Sequence, residues 1–513
     1  MSLTERRGQG AGPRYRPGPH PGSGLLPGRA SPWWLVVVAA AFTAALLLSV
    51  PPALGLAWDE SVYVSQVSAH APAAYFDPAR ARGITLLAAP VTLLTSSVVA
   101  LRVYLSVAAG AGLLAALWAW RPLRPAWVLA LAGLAFGGLW VTQFYAAQVM
   151  PDVWSALAGL AAVGCFLRFA TGHDRRGALA GLAASLAGMT LLRPGDAAYL
   201  GVPLAAAVLA VRAWRRWPLL AATVAGLVAG AAEWVVEAEE RFGGLAARLH
   251  AAGLEQGGFG LHFALPDELR ALNGPTLCRP CTVGVRYPEL DLWWFALPVL
   301  AAAGVLAARR AGQLGSSLLP AVCGLCVAAQ YIVMIGYAAP RFLLPAYALL
   351  AIPVADALAW LVTGVRQDLR PAMAVAVGAC LAAQLVVQHA VLAHEVGGTA
   401  RFHDDYARIV AGLRALGIRP PCLVNGDQDI PIAFDAGCAS AGSVARAAAY
   451  GSAGGTPPGG GAGTRDEHLA LLVPAGHRPP GYARRWHVHA LPGTKILKLA
   501  AYLPPHRPAP PGR

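Results

Sequence analysis

Apolar runs of about 20 residues recur from Trp33 to Leu392, and the short loops between them carry arginine. A run of that length crosses the hydrocarbon core of a bilayer as a helix. Without water to pair with backbone groups, only helices and closed barrels can span a membrane. The runs at about 33–52, 98–118, 126–144, 150–169, 177–192, 197–212, 217–237, 292–308, 316–336, 342–363 and 371–392 therefore predict eleven transmembrane helices in an all-α polytopic membrane protein. The first run lies too far into the chain, and is too long, for a cleaved signal peptide. The stretch 84–97 is apolar but short and is interrupted by Pro90, which predicts an interfacial helix.

The composition agrees: 57% of the residues are hydrophobic and only 13% charged. That excludes an ordinary soluble enzyme and a disordered chain. The net charge of +14 comes almost entirely from arginine, since Lys495 and Lys498 are the only lysines. In a membrane protein such an excess marks the cytoplasmic loops rather than a nucleic-acid partner. With the N-terminus inside, the inner loops hold Arg121 and Arg124; Arg168, Arg175 and Arg176; Arg212, Arg215 and Arg216; Arg309 and Arg310; and Arg366 and Arg370. The outer short loops hold Arg80, Arg82, Arg193 and Arg341. This alternation predicts a cytoplasmic-membrane protein with a first outer loop at about 53–97, a long outer loop at about 238–291, and everything after His394 outside.

Three domains follow. Residues 1–32, rich in Gly, Pro and Arg, predict a disordered cytoplasmic tail. Residues 33–393 form the membrane domain. Residues 394–513 predict a small extracytoplasmic α/β domain, with a helix over Asp404–Leu416, strands over Cys422–Asn425, Leu469–Val473, Trp486–Leu491 and Ile496–Leu503, and a flexible Gly-rich loop at 451–463. No repeat of period 20–50 is present.

Cys165, Cys323, Cys326 and Cys380 fall inside predicted spans, where a thiol packs as a small hydrophobe. Cys278, Cys281, Cys422 and Cys438 all fall outside, where disulfides form. The Cys278-Arg-Pro-Cys281 spacing also fits half a zinc site or a redox pair, and the pairing stays open. Asp427-Gln-Asp429 reads as a polar loop after a strand. No histidine stands at a metal-binding spacing, so no cofactor is expected. A divalent cation is compatible with the chemistry below but is not required by any ligand cluster.

Charge beside membrane spans is costly and tends to be functional. Here it gathers at the outer face: Trp58-Asp59-Glu60-Ser-Val-Tyr63 after the first span, Asp152 after Pro151, Arg193-Pro194-Gly-Asp196, and Arg341-Phe-Leu-Leu-Pro345, with Glu233 and Glu237 closing the seventh span. A single member of this set reads as a helix cap, as Asp152 does in a first turn. The set together reads as a site. Carboxylates supply a general base and arginines grip phosphate with a fork of donors. A lipid phosphate sits at this depth, and the chain has no P-loop for a nucleotide.

These motifs resemble the GT-C glycosyltransferases, in particular bacterial relatives of the protein O-mannosyltransferases and the lipid A aminoarabinose transferases. The resemblance covers about residues 33–392. It implies a polyprenyl-phosphate-linked sugar as donor, an acceptor hydroxyl of unspecified origin (protein, glycan or lipid), and an inverting transfer at the outer face. It names Asp59, Glu60 and Asp152 as catalytic acids, with Asp59 the base. Tyr63, Arg102, Arg193 and Arg341 are the substrate-binding residues. Two other classes remain open at this stage: a lipid or sugar transporter, for which Arg102 inside the second span is the candidate charge, and a non-catalytic subunit of a cell-envelope complex.

Overall fold

The computed structural model describes residues 32–258, 260–285, 287–442 and 468–505. The predicted tail, apart from Pro32, and the Gly-rich segment 451–463 lie outside the described residues. A helix stands at each of the eleven predicted runs. The chain opens with α1 (Trp33–Ser49) and then builds the loop 53–97, expected to be the first outer loop, from α2 (Trp58–Ser65) and α3 (Gly83–Thr92), the latter where an interfacial helix is expected. Next come α4 (Val98–Trp118), α5 (Ala126–Gly137), α6 (Trp140–Ala146), α7 (Asp152–Ala170), α8 (Arg175–Leu192), α9 (Pro194–Ala210) and α10 (Trp217–Arg241). The long loop 238–291, the second expected outer loop, holds α11 (Leu245–Glu255) and α12 (Leu265–Ala271). The remaining long helices are α13 (Leu292–Arg310), α14 (Leu314–Met334), α15 (Leu344–Thr363) and α16 (Arg370–Ala415).

Among the described residues, seven helices are long and apolar enough to cross a membrane: α4, α7, α10 and α13 to α16, three of them with a short 3-10 lead-in. The chain is thus a multi-pass membrane protein. The expected straight span 126–144 is instead the pair α5–α6, bent by 78°, and makes an eighth crossing only if the two count as one. Gly137 and Gly138 sit at the break, the sort of weak point at which helices kink. The freed N–H of Trp140 is taken by the Gln388 side chain at 2.9 Å. Of the other expected spans, α1 and α9 have 17 residues each. α8 has 18, but it opens on Arg175 and Arg176, which lower its apolar character.

The bundle is layered by burial. α15 is buried along 94% of its apolar window, whereas α16 is buried along 17%. α15 packs against α5, α7, α13 and α14, and α7 against α4 and α8. Small residues let these neighbours approach: a Cβ on Gly304 of α13 would lie 1.7 Å from the Pro353 carbonyl oxygen of α15.

α16 is one continuous helix of 46 residues. Its last turns cover a mixed sheet of β1 (Leu423–Gly426), β2 (Ala439–Ser440), β3 (Leu469–Pro474), β4 (His487–Ala490) and β5 (Leu499–Leu503), in the order β2-β1-β3-β5-β4. β1 runs parallel to β2 and β3, and β5 runs antiparallel to β3 and β4. Ile409, Val410 and Leu413 of α16 pack on Val424, Leu472 and Leu499. Side chains of this size stabilise by roughly 1.5–3 kcal/mol each when fully buried. Asp405 fastens the junction by accepting the N–H groups of Lys495, Ile496 and Leu497. A short helix, α17 (Asp429–Ala436), packs against α2, with Phe434 meeting His70 edge-on. Asp429 of the Asp427-Gln-Asp429 motif is buried there and accepts from Ser440 at 2.6 Å. The four cysteines expected outside pair as Cys278–Cys281 and Cys422–Cys438.

Candidate active site

The site is assembled from element ends. Asp59 stands in the first turn of α2, Asp152 opens α7, and Asp196 lies in the first turn of α9. Arg193 joins α8 to α9, where Pro194 at the first helical position fixes the turn. Arg341 lies in the 3-10 turn Pro340–Leu343 that leads into α15. Arg80 lies on the irregular segment before α3.

Their side chains form an unbroken alternating chain of carboxylates and guanidiniums. Asp77 pairs with Arg80. Arg80 Nη2 donates to Asp59 Oδ1 at 2.7 Å, and Arg341 Nη2 donates to Asp59 Oδ2 at 3.2 Å. Arg341 Nε lies 3.8 Å from Asp152 Oδ2, too far for a hydrogen bond. Asp152 Oδ1 pairs with Arg193, whose Nε lies 3.4 Å from Asp196 Oδ2. Asp196 also accepts from Ser155 at 2.8 Å and from the Tyr331 hydroxyl.

Aromatic rings wall the chain. Phe342 lies between the two arginines, its ring 5.2 Å from each guanidinium carbon. Arg193 also faces Tyr331, Arg341 faces Tyr145, and Arg80 lies over Tyr63 at 4.9 Å. Such contacts hold a cation without consuming its hydrogen-bond donors.

Two features bear on chemistry. Asp152 Oδ2 and Arg341 Nε, 3.8 Å apart, are both buried without a hydrogen-bond partner, which leaves Arg341 one donor to offer an oxygen ligand. Asp59 is 30% exposed, the most open acid of the central pairs. Burial pushes its carboxyl up, but the guanidiniums of Arg80 and Arg341 outweigh this and hold it below the ordinary aspartate range.

Of the residues singled out by sequence, Asp59, Asp152, Tyr63, Arg193 and Arg341 come together here. Glu60 and Arg102 do not. They face one another, each 1% exposed. Glu60 also accepts the N–H groups of Val149 at 2.7 Å and Ala57 at 3.0 Å. Arg102 donates to the carbonyls of Leu54, Gly55 and Ala147. Together these contacts tie the start of α2 and the segment before it to α4 and to the α6–α7 turn. Glu237, flagged with the outer acids, holds Arg82 and Arg248 instead.

Sequence reasoning passed over Arg80, Tyr145 and Tyr331 as site residues. It also left the second outer loop without a role. That loop reaches the site directly: the Thr276 carbonyl accepts from Arg341 Nη1 at 3.0 Å, and Cys278 bridges its backbone to Ala338, three residues before Arg341. Among the described residues no group of three or more His, Cys, Asp and Glu side chains is placed to hold a metal ion.

No sequence family and no curated protein matches the chain. Its three-dimensional arrangement does match solved structures. ArnT from Cupriavidus metallidurans bound to undecaprenyl phosphate superposes with a TM-score of 0.62 over 92% of this chain and 98% of that one, at 13% identity. The same protein in the apo state gives 0.58 over 92% and 97%, at 12% identity. The Archaeoglobus fulgidus oligosaccharyltransferase in complex with Zn and sulfate gives 0.50 over 79% of this chain and 62% of that one, at 13% identity. Over nine-tenths of its length this chain therefore has the fold of ArnT, a GT-C fold.

Proposed function

We propose that the protein is a membrane glycosyltransferase that moves a sugar from a polyprenyl-phosphate donor to an acceptor hydroxyl at the outer face of the cytoplasmic membrane. The observation that carries this reading is the alternating Asp59–Arg341–Asp152–Arg193 chain, at the joint ends of helices that share the ArnT fold. The ArnT structure named above was solved with undecaprenyl phosphate, a ligand of the class this reading requires. The eleven apolar runs, with α5 and α6 counted as one, are taken as eleven crossings, with the N-terminus inside and 394–513 outside, as the arginine alternation predicts.

In the reaction, Asp59 removes the proton from the acceptor hydroxyl. The oxygen attacks the anomeric carbon with inversion, and the bond from that carbon to the phosphate oxygen breaks. The polyprenyl phosphate leaves with the electron pair, its new charge met by Arg341 and Arg193. The central chain holds four carboxylates (Asp59, Asp77, Asp152, Asp196) against three guanidiniums (Arg80, Arg193, Arg341). A phosphate therefore enters by exchange, replacing carboxylates as the partners of Arg341 and Arg193. That exchange releases Asp59 from Arg341 and makes it a stronger base with donor bound than without. Asp152 holds the two arginines in register. Glu60 and Arg102 hold α2 rather than touch substrate.

The test is release of lipid phosphate by the purified protein from a panel of polyprenyl-phosphate sugars. At least one donor turns over, and Arg341→Lys, which keeps the charge but loses the fork, lowers turnover about a hundredfold, as for a lost oxyanion donor. A panel with no turnover refutes the reading. Full activity in both Arg341→Lys and Arg193→Lys refutes the phosphate assignment.

A further inference from the structure

No step above uses Arg248 of the second long loop, although it is completely buried. α10 ends at Arg241 and the chain reverses through Gly243 and Gly244, with φ of +76° and +112°, conformations that favour glycine. The reversal lays α11 back on α10 and buries Arg248 completely. Its guanidinium is fully engaged. Nε donates to the Pro78 carbonyl at 3.1 Å, Nη1 to the Trp234 carbonyl at 2.7 Å, and Nη2 to the Arg80 carbonyl at 3.0 Å and to Glu237 Oε2 at 2.9 Å. The rings of Trp234 and Phe242 flank it at 4.2 and 4.6 Å. The Trp234 indole N–H adds a second donor to the Arg80 carbonyl at 3.1 Å. Glu237 turns its other oxygen to Arg82 Nε at 3.0 Å.

Three of these bonds, two from Arg248 and one from Trp234, end on the Pro78 and Arg80 carbonyls, in a segment outside any helix or strand; the other two from Arg248 anchor it to α10. A segment without regular structure has no ladder of its own to fix it. Yet Arg80 must place its guanidinium on Asp59. A planar fork with five donors can hold two carbonyls of one turn and a carboxylate at once, and a lysine cannot.

We propose that Arg248 is a positioning residue of the transfer reaction: it clamps the backbone of Pro78 and Arg80 to the end of α10 and thereby sets Arg80 against Asp59. The role rests on the glycosyltransferase reading for its catalytic consequence, but not for the clamp itself. The second outer loop thus serves the site from two sides, through Thr276 on Arg341 and through Arg248 on Arg80.

The experiment compares wild type, Arg248→Lys, Arg80→Gln and the double variant, in turnover and in hydrogen exchange of the amides at 76–82. Arg248→Lys keeps a charge for Glu237 but loses the carbonyl contacts. Exchange at 76–82 rises, kcat falls about a hundredfold as for a misplaced catalytic group, and affinity for the polyprenyl phosphate stays within about threefold, since its arginines are untouched. Because Arg248 acts through Arg80, the double variant is no worse than Arg80→Gln alone, the non-additivity expected of a shared pathway. Unchanged exchange at 76–82 overturns the clamp. Losses that add in the double variant overturn its action through Arg80. Trp234→Phe removes a single donor to the Arg80 carbonyl and shifts exchange and kcat the same way by less, so the decision stands even if Arg248→Lys does not fold. A wild type that transfers no sugar defeats the glycosyltransferase reading alone, and the exchange data still decide the clamp.

Discussion

Replacing Asp59 by asparagine keeps the shape of the side chain and removes its charge and basicity. In the structure each carboxylate oxygen accepts from a different arginine, Oδ1 from Arg80 at 2.7 Å and Oδ2 from Arg341 at 3.2 Å. Asparagine keeps one acceptor and turns an N–H group toward the other guanidinium. Hydrogen bonds to charged groups contribute about 1.5–3 kcal/mol each. The position is 30% exposed, so water takes up the freed guanidinium and the protein stays folded. Turnover behaves differently. Loss of a general base costs about 10²–10⁴-fold, or roughly 2.7–5.4 kcal/mol at 1.36 kcal/mol per decade. Asp59→Asn is therefore expected to lose at least about a hundredfold in kcat with donor affinity kept.

The pH profile separates a lost base from a merely disturbed site. Burial raises the proton affinity of Asp59 and the two arginines more than reverse this, so the acid limb of kcat/KM, which reports the free enzyme, lies below the ordinary aspartate value of about 3.9. With donor bound, Arg341 turns to phosphate, Asp59 loses one of its two counter-ions, and the acid limb of kcat stands higher than that of kcat/KM. Both limbs vanish in Asp59→Asn. Turnover within about tenfold of wild type, below the usual range for a lost base, or limbs that persist unchanged in the variant, refutes the assignment.

Three further outcomes are expected. Glu60→Gln leaves Arg102 buried without its counter-ion and destabilises by about 3–5 kcal/mol, read as a drop in Tm in detergent, while the folded fraction keeps its kcat; an unchanged Tm with collapsed turnover would move Glu60 into the chemistry. Glu268 in α12 is buried with both carboxyl oxygens unpartnered, and burial, with Asp267 adding to it, pushes its carboxyl well above the ordinary range against the pull of Arg341. Its contribution to stability is whole below about pH 4.3, the unfolded value, and is lost as pH rises through the folded value, so Glu268→Gln gains Tm over wild type at pH 8 and none at pH 4; equal differences at both pH values would count against it. In a background without Cys165, Cys323, Cys326 and Cys380, an impermeant maleimide added outside labels Ala475→Cys and spares Gln313→Cys; the reverse pattern sinks the proposed orientation.

Much of this architecture is legible in the sequence because a membrane leaves a chain few options. Each apolar run must become a helix, and each of the eleven does. The bend between α5 and α6 was not legible, because an apolar run looks the same whether straight or broken. What marks the break is a pair of glycines and a glutamine 248 residues downstream that accepts the freed N–H of Trp140. Nor do the residues alone tell the neighbours Asp59 and Glu60 apart. Successive residues on a helix point about 100° apart, so one of the two had to turn away, and the identity of its partner, Arg102, is a tertiary fact.

The site itself was written in the exceptions to a rule. Arginine belongs to inner loops, and four arginines in short loops break that pattern: Arg80, Arg82, Arg193 and Arg341. In the structure every one of the four is held by carboxylates, Arg80 by Asp59 and Asp77, Arg82 by Glu237, Arg193 by Asp152 and Asp196, and Arg341 by Asp59 and Asp152. The topological signal acts on lone positive charge near the membrane, and an arginine that acids meet in the fold retains a use there that solvent-exposed charge does not. Sequence reading took two of the four, those embedded in family motifs, and passed over Arg80, which stands in no such motif. The exceptions were the stronger guide. A loop arginine met by nearby acids points to a pocket whose cations are already paired until an anionic substrate takes the place of one of those acids.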